Sequence, residues 1–332
     1  MLSLLKHTNN FDYMPIYGCL DKVEDCTSRL QEKYIAEQVR KYPKIDPTLI
    51  AMLVRRSDFE RELEYFGKNY DQFKQVLDSG FPNKLIKKGA FQSHVWEMIL
   101  CDVLSSYGEL QPKKEKGADI RLLTKNGQDI QIEAVVAKES DNPSLRSVKP
   151  RLSPDRKFDS LSGKVDDLEN PVLLRFTAVF SEKASDKNLR KDLPLILAIN
   201  TSQAVGFTSR DDYIIRRALF GLGSETITRI NEDNYRHGLQ QKTEVQKGDA
   251  SFSAAFFRQE KYSHISGVIY SSQSPHSLTP TGTGWLNSGL VYAANPLAEN
   301  PAEIYFDCMG KIIVTEEKYE EVAAQKKFLS CL

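Results

Sequence analysis

Residues 89–138 read GAFQSHVWEMILCDVLSSYGELQPKKEKGADIRLLTKNGQDIQIEAVVAK, and the fold is predicted mainly from this stretch. In its first part, residues 91–107, apolar side chains recur on one arc at the spacing of an amphipathic helix. These apolar residues are Trp96, Ile99, Leu100, Val103, Leu104 and Tyr107. Glu97 lies at the edge of this arc, and Gly108 ends the predicted helix.

Two short strands are predicted after this helix, over residues 118–123 and 129–136. The Asn126-Gly127 pair between them is the strongest two-residue signal for a β-hairpin. Asp119 lies at the start of the first strand, and Glu133 lies inside the second. A carboxylate inside a strand is costly to bury unless it has a partner or a task. Glu133 is therefore a candidate functional residue.

The order of a helix glutamate, a strand aspartate and a second-strand glutamate resembles the PD-(D/E)XK nuclease superfamily, whose fold is called restriction-endonuclease-like. The resemblance is to uncharacterised bacterial members that carry a Trp-Glu helix, a Gly-x-Asp strand and an Ile-Glu-Ala strand. The matching pieces are Trp96-Glu97, Gly117-Ala118-Asp119 and Ile132-Glu133-Ala134. The likeness spans about residues 90–200.

This resemblance implies a metal-dependent hydrolysis of phosphodiester bonds. A divalent cation neutralises charge on phosphoryl oxygens and lowers the pKa of an attacking water, and Mg²⁺ commonly takes only one or two protein carboxylates. Asp119 and Glu133 are the predicted ligands of Mg²⁺ or Mn²⁺, since neighbouring strands lie ~5 Å apart. Glu97 is predicted to hold a metal-bound water or a second ion from the helix.

The sequence departs from the family pattern at the lysine. The family places it two residues after the strand glutamate, on the same face of the strand, and Val135 stands there in this chain. In some branches the lysine comes from the following helix, which makes Lys183 the candidate, with Arg175 two turns before it. Lys138 is a weaker candidate. If none of them reaches the site, the chain is a nuclease-like binding domain without activity.

Each carboxylate also has a structural interpretation. A helix glutamate beside an apolar face is commonly a rim residue that reaches solvent, and an aspartate at a strand start is commonly a turn cap. A metal site is therefore predicted from the combination of Glu97, Asp119 and Glu133 in this order, together with the hairpin that brings the two strand residues together.

The composition is that of an ordinary globular protein of 332 residues, with 45 basic and 45 acidic side chains and a formal net charge of zero. A protein that coats DNA would be strongly basic, so tight sequence-independent binding by the whole surface is disfavoured. Neutrality leaves room for a nuclease, because its basic residues can be local.

The five cysteines and five histidines show no metal-binding spacing. The odd number of cysteines argues against a disulfide framework. Reduced cysteines are typical of cytoplasmic proteins, so the cytoplasm is the predicted location. No apolar run approaches the ~20 residues needed to cross a bilayer, so no membrane association is expected.

Outside the central stretch, residues 1–85 are predicted to form a helical N-terminal region, with Asp46-Pro47 as a helix start before an apolar pattern over residues 48–77. Residues 139–168 read as a long polar loop, either a mobile flap over nucleic acid or a disordered insertion. Asn170-Pro171 predicts the start of a helix over residues 172–187, and residues 193–200 predict a buried central strand.

The remaining predictions concern the C-terminal part. We expect a helix over residues 213–220 with a capping box at residues 209–212, a poorly patterned region over 221–250 and a short helix over 251–258. Strands are predicted at 265–272 and 289–295, and a helix closes the chain at 316–332.

The fold class that we predict is α/β (α+β in some schemes), with a restriction-endonuclease-like mixed sheet flanked by helices. The domains are a helical region at 1–85, a core at 86–315 and the closing helix. The predicted function is a metal-dependent nuclease with DNA as the expected substrate, and its site residues are Glu97, Asp119, Glu133, Lys183 and Arg175. The alternative is an inactive nuclease-fold module that binds nucleic acid or protein. The sequence leaves open DNA versus RNA and whether the chain forms a homodimer.

Overall fold

The computed structural model describes residues 28–114, 117–138, 165–204, 211–231, 234–247, 250–278, 280, 289–314 and 319–322. Several predictions lie outside this part of the chain. They concern residues 1–27, most of the polar loop, the first half of the capping box at 209–212 and most of the closing helix.

Four helices form the first part of the described chain: α1 (Ser28–Lys41), α2 (Pro47–Val54), α3 (Glu60–Phe73) and α4 (Phe81–Leu85). The predicted start of α2 is confirmed, because an Asp46 side-chain oxygen accepts a hydrogen bond from the Thr48 backbone N–H at 2.9 Å. The apolar pattern at 48–77 is interrupted by a 3₁₀ turn at Arg56–Phe59, which separates α2 from α3.

The helix and hairpin of the central stretch are confirmed. Helix α5 covers Phe91–Ser105 and is followed by β1 (Gly108–Gln111), β2 (Ile120–Thr124) and β3 (Asp129–Val136). Strands β2 and β3 pair in antiparallel fashion, with Ile120 opposite Ile132. Gly127 in the connecting turn has a φ of +84°, a conformation that glycine adopts without strain. Strand β1, which the sequence did not predict, pairs with β2 at the edge of the sheet.

Helix α6 (Val165–Ala184) begins seven residues before the predicted start at 172, and it includes residues 165–168, which were predicted as loop. The Asn170-Pro171 start is therefore wrong. A proline inside a helix removes one hydrogen bond, and the buried side chains of Leu173, Phe176 and Phe180 hold this helix on the sheet despite that loss. The next strand, β4 (Leu195–Asn200), is buried along its whole length, which confirms the predicted central strand.

The region between β4 and the next sheet strand contains more strand than predicted. Helix α7 (Asp211–Ile215) continues into a π-helical turn at Arg216–Phe220, in agreement with the predicted helix. Two hairpins then follow: β5 (Leu222–Asn231) with β6 (Asn234–Gln241), and β7 (Glu244–Lys247) with β8 (Ala250–Ser253). The prediction of an unpatterned region at 221–250 is wrong, and so is the first half of the short helix at 251–258. Each hairpin forms a separate two-stranded sheet outside the main sheet. Its strands do not carry a continuous apolar run like that of β4, so the sequence pattern does not predict them.

The two later sheet strands are confirmed as β9 (Gly267–Ser271) and β10 (Val291–Ala294). Strands β11 (Gly310–Val314) and β12 (Tyr319–Val322) complete the sheet. The predicted helix at 316–332 is wrong at residues 319–322, because these residues pair in antiparallel fashion with β11. Pairing with an existing sheet edge overrides a weak local helical preference.

Eight of the described strands form one mixed sheet in the order β1-β2-β3-β4-β9-β10-β11-β12. Strand β4 is parallel to both of its neighbours, β3 and β9. Side chains alternate between two cores: Ile196 and Ala198 of β4 pack in the core with α2–α5, and Leu195, Leu197 and Ile199 pack in the core with α6 and α7. The chain is thus a mixed α/β protein whose sheet has helices on both faces.

None of the helices within the described ranges combines the length and the apolar composition that a membrane-spanning helix requires.

Candidate active site

The glutamate of helix α5 lies inside the fold. The Glu97 side chain is 7% exposed and has two partners. Its Oε1 lies 3.2 Å from Lys113 Nζ, and its Oε2 lies 3.3 Å from His94 Nδ1. The next residue toward the N-terminus, Trp96, donates its indole N–H to the Ala198 carbonyl of β4 at 2.9 Å. This bond fixes α5 against the centre of the sheet, so that Glu97 is held by a rigid element.

Asp119 lies one residue before β2 and joins the same network. Its Oδ1 accepts a hydrogen bond from Lys113 Nζ at 2.8 Å, and its Oδ2 accepts one from the Ala134 backbone N–H at 3.1 Å. The second bond ties Asp119 to β3 beside Glu133. The alternative interpretation of Asp119 as a turn cap is incomplete, since its carboxylate bridges Lys113 to the neighbouring strand.

Glu133 lies in the middle of β3, and its side chain is 7% exposed. Lys183 Nζ, from the end of α6, donates to Glu133 Oε1 at 2.6 Å. Burial raises the pKa of Glu133, the negative charge of Asp119 raises it further, and both together outweigh the contribution of Lys183, which lowers it. Asp119 and Glu133 are therefore close enough to repel each other.

Two lysines partly offset the charge of the three carboxylates. Burial alone would lower the pKa of Lys113, but the charges of Glu97 and Asp119 outweigh this effect and raise it. The pKa of Lys183 is also raised, because its bond to Glu133 outweighs burial. Three negative and two positive side chains leave one net negative charge in the site, before the charge state of His94 is counted.

Of the other predicted cations, neither contacts the carboxylates. Arg175 donates its Nε–H to the Lys138 carbonyl oxygen at 2.6 Å, beyond the end of β3. The Lys138 ammonium lies near Gly89, because a Cβ placed on that glycine would be 4.0 Å from Lys138 Nζ. Val135 is half-buried beside the α6 core. Among the three candidate cations, Lys183 is the one that reaches Glu133.

Lys113 is the site residue that the sequence did not single out. It belongs to the run Lys-Lys-Glu-Lys at 113–116, and short basic runs of this kind are usually solvated faces. Its neighbour Lys114 is exposed, and no feature of the local sequence separates the two. The difference arises from the path of the loop, whose backbone N–H at Lys113 donates to the Val76 carbonyl at 3.3 Å.

Asp119 and Glu133 have the donor chemistry that a magnesium or manganese ion needs. They are oxygen donors on adjacent strands, their mutual repulsion would be relieved by a cation, and among described residues Glu133 uses only Oε1 in a hydrogen bond. Within the described ranges, no group of three His, Cys, Asp or Glu side chains is arranged as a metal-ligand set. The two carboxylates fit a Mg²⁺ ion whose remaining positions are filled by water.

Comparison with known proteins finds no match to any protein-family profile, to any curated protein or to any solved structure.

Proposed function

We propose that this protein is a metal-dependent nuclease that hydrolyses phosphodiester bonds of DNA, built on a restriction-endonuclease-like core. The observation that carries the proposal is the 2.6 Å contact between Lys183 Nζ and Glu133 Oε1. The strand position of the family lysine is occupied by Val135, and a lysine of the following helix reaches the strand glutamate instead. The order of helix α5, hairpin β2–β3, helix α6 and strand β4 agrees with the resemblance.

In this proposal the carboxylates Asp119 and Glu133 hold Mg²⁺ or Mn²⁺. When bound, the ion supplies Lewis-acid polarisation of a phosphoryl oxygen and lowers the pKa of its water. Lys183 places a positive charge beside the scissile phosphate, where negative charge develops in the transition state. Glu97, held by α5, orients the attacking water.

Lys113 keeps the carboxylates of Glu97 and Asp119 in place when they are partly removed from solvent. Its ammonium lies within hydrogen-bonding distance of both, so it fixes their separation and offsets their repulsion. A preorganised arrangement of this kind avoids reorganisation during the reaction. Arg175 is not part of this chemistry in the proposal, because its guanidinium bonds to the Lys138 carbonyl.

A second candidate function, an inactive module with the same fold, is favoured by a specific observation. Each of the three carboxylates is already paired with a lysine of its own chain. These pairs compensate most of the negative charge without any metal. Such a module binds nucleic acid or protein and has no need of Mg²⁺.

The proposal is tested by cleavage of single- and double-stranded DNA and RNA with Mg²⁺ or Mn²⁺. Wild type should cleave DNA only with the metal, and Glu133→Gln should abolish cleavage. Glu109→Gln is the matched control, because Glu109 is exposed on edge strand β1 and should leave the rate unchanged. No cleavage of any substrate would favour the inactive module, and equal cleavage by wild type and Glu133→Gln would place the chemistry elsewhere.

A further inference from the structure

The chain has no net charge, yet five cations gather where three elements of the site meet the surface. We name this group the cationic patch and define it by its five members, Lys44, Lys87, Lys88, Lys138 and Arg175. The four lysines are exposed and Arg175 is half-buried. Among the described residues, no carboxylate forms an ion pair with any of the five.

The backbone holds the patch together. The Lys88 N–H donates to the Lys44 carbonyl at 2.9 Å, and a β-bridge joins Ile45 to Lys87. Gly89 follows with a φ of +73°, and its N–H donates to a carboxylate oxygen of Asp46 at 2.8 Å. Asp46 is buried and also caps α2. Both of its carboxylate oxygens accept backbone N–H groups, and among the described residues Asp46 forms no ion pair with the exposed lysines.

The second half of the patch adjoins this loop. A Cβ on Gly89 would lie 4.0 Å from Lys138 Nζ, and the Lys138 carbonyl accepts the Arg175 Nε–H at 2.6 Å. The loop before α5, the end of β3 and the middle of α6 thus meet at one surface. Each contributes cations that form no ion pair within the described part of the chain.

The same three elements carry the candidate active site. Lys183 lies eight residues after Arg175 on α6, so this helix spans ~12 Å between patch and site. Glu97 lies on α5, eight residues after Gly89 in the loop that precedes this helix. Glu133 lies five residues before Lys138, which is ~16 Å along an extended chain. With a rise of ~3.4 Å per base pair, these separations correspond to roughly four or five base-pair steps.

We propose that the cationic patch binds the phosphate backbone of duplex DNA roughly four or five base pairs from the bond that is cleaved. This inference rests on the proposed function, because it positions the DNA of that reaction. It also explains how a neutral protein binds a polyanion: the contact is local, and each neutralised phosphate releases counterions. A cluster of cations that contacts phosphates positions the DNA backbone without reading its sequence.

The test is fluorescence anisotropy with a labelled 20-base-pair duplex, using the full chain in EDTA so that no metal is bound and no cleavage occurs. The double variant Lys88→Gln/Lys138→Gln removes two patch charges. With five phosphate contacts, the slope of log K against log[salt] is about −4.5 for wild type, and the double variant should lower its magnitude by about 2. Its affinity should fall by roughly 60-fold near 0.1 M salt, because each lost phosphate contact costs about 0.9 log units there.

The matched control is Lys125→Gln/Lys191→Gln. Both lysines are exposed and lie at the opposite end of the sheet, before β3 and β4 begin. This variant removes the same charge, and its affinity and salt slope should match those of wild type. Circular dichroism verifies that both double variants fold.

Equal loss of binding in the two double variants would overturn the patch, as would a wild type that binds no duplex in EDTA. Patch-dependent binding to anionic vesicles or to an acidic peptide without binding to DNA would also overturn it. Cleavage is measured in a separate assay, so that the patch and the proposed nuclease activity can fail independently. Patch-dependent DNA binding without cleavage would support the patch and favour the inactive module, whereas cleavage with patch-independent binding would overturn the patch alone.

Discussion

Glu133 combines burial, a like-charged neighbour and a lysine partner at one carboxylate. Its pKa lies above the usual value of 4.5 because burial and the charge of Asp119 outweigh Lys183. A carboxyl with a raised pKa in the folded state contributes stability below pH ~4.5, and this contribution is lost as pH rises through the folded pKa. Deprotonation of Glu133 therefore costs more free energy in the folded protein than in the unfolded chain, and a bound cation would reduce this cost.

We expect Asp119→Asn to lower the pKa of Glu133, because the substitution removes a like charge beside it. The pH-dependent loss of stability that this residue causes should shrink accordingly. A carbon-13 NMR titration of the Glu133 carboxyl measures the change. Asp129→Asn is the control, since Asp129 pairs with Arg121 at the far end of β3 and should leave Glu133 unaffected. An identical Glu133 pKa in wild type and Asp119→Asn would disprove the repulsion.

Lys183 is the cation that contacts Glu133, and its removal should slow cleavage. Lys183→Met should lower the single-turnover cleavage rate by roughly 10²–10³, the usual effect of removing one electrostatic stabiliser of a transition state. Adding Val135→Lys to that variant should restore part of the rate, because Val135 lies two residues after Glu133 on the same strand face. The neighbouring Lys187→Met should have no effect.

A Lys183→Met variant that cleaves at the wild-type rate would remove this lysine from the mechanism. A double variant no faster than Lys183→Met would mean that the strand position does not substitute for the helix position.

The β2–β3 hairpin is the element that brings two of the three carboxylates together. The Gly127 N–H donates to the Thr124 carbonyl at 2.9 Å, and this turn sets the register that places Ile120 opposite Ile132. Extending this antiparallel register by one residue beyond Ile120 and Ile132 places Asp119 opposite Glu133. The accuracy of the site therefore depends on a turn at the far end of β3.

We predict that Gly127→Ala lowers the free energy of unfolding by about 1 kcal/mol, because alanine adopts the φ of +84° with strain. Among the described residues, no atom lies within 4 Å of the added Cβ, so the expected cost is conformational. Gly127→Asn should lose less, since asparagine tolerates this region better. Denaturant unfolding measures both. Equal stability of wild type and Gly127→Ala would show that the turn is not strained.

Local patterns were sufficient for α5, the β2–β3 hairpin and β4, because apolar periodicity and Asn126-Gly127 act over a few residues. Local patterns do not predict elements that depend on contacts with residues distant in the sequence. Strand β12 forms because it pairs with the edge of β11, and α6 begins before Pro171 because the helix packs on the sheet. Lys113 was missed for the same reason. Its partners Glu97 and Asp119 are known only once the loop between β1 and β2 has a path.

The whole molecule has a formal net charge of zero, but its positive and negative side chains are separated in space. The site keeps an excess of carboxylate, and the cationic patch lies ~12–16 Å away along the same elements. This separation suits a polyanion that is bound at one place and hydrolysed at another. A uniform mixture of the 45 basic and 45 acidic side chains would not produce it.

If Asp119 and Glu133 hold a divalent metal, calorimetric titration with Mn²⁺ should detect it. Wild type should bind Mn²⁺, and Asp119→Asn and Glu133→Gln should each weaken binding by at least about tenfold. Asp129→Asn, which removes a carboxylate outside the site, should bind like wild type. Absence of Mn²⁺ binding by wild type, or equal affinity in wild type and both site variants, would contradict the metal-dependent nuclease.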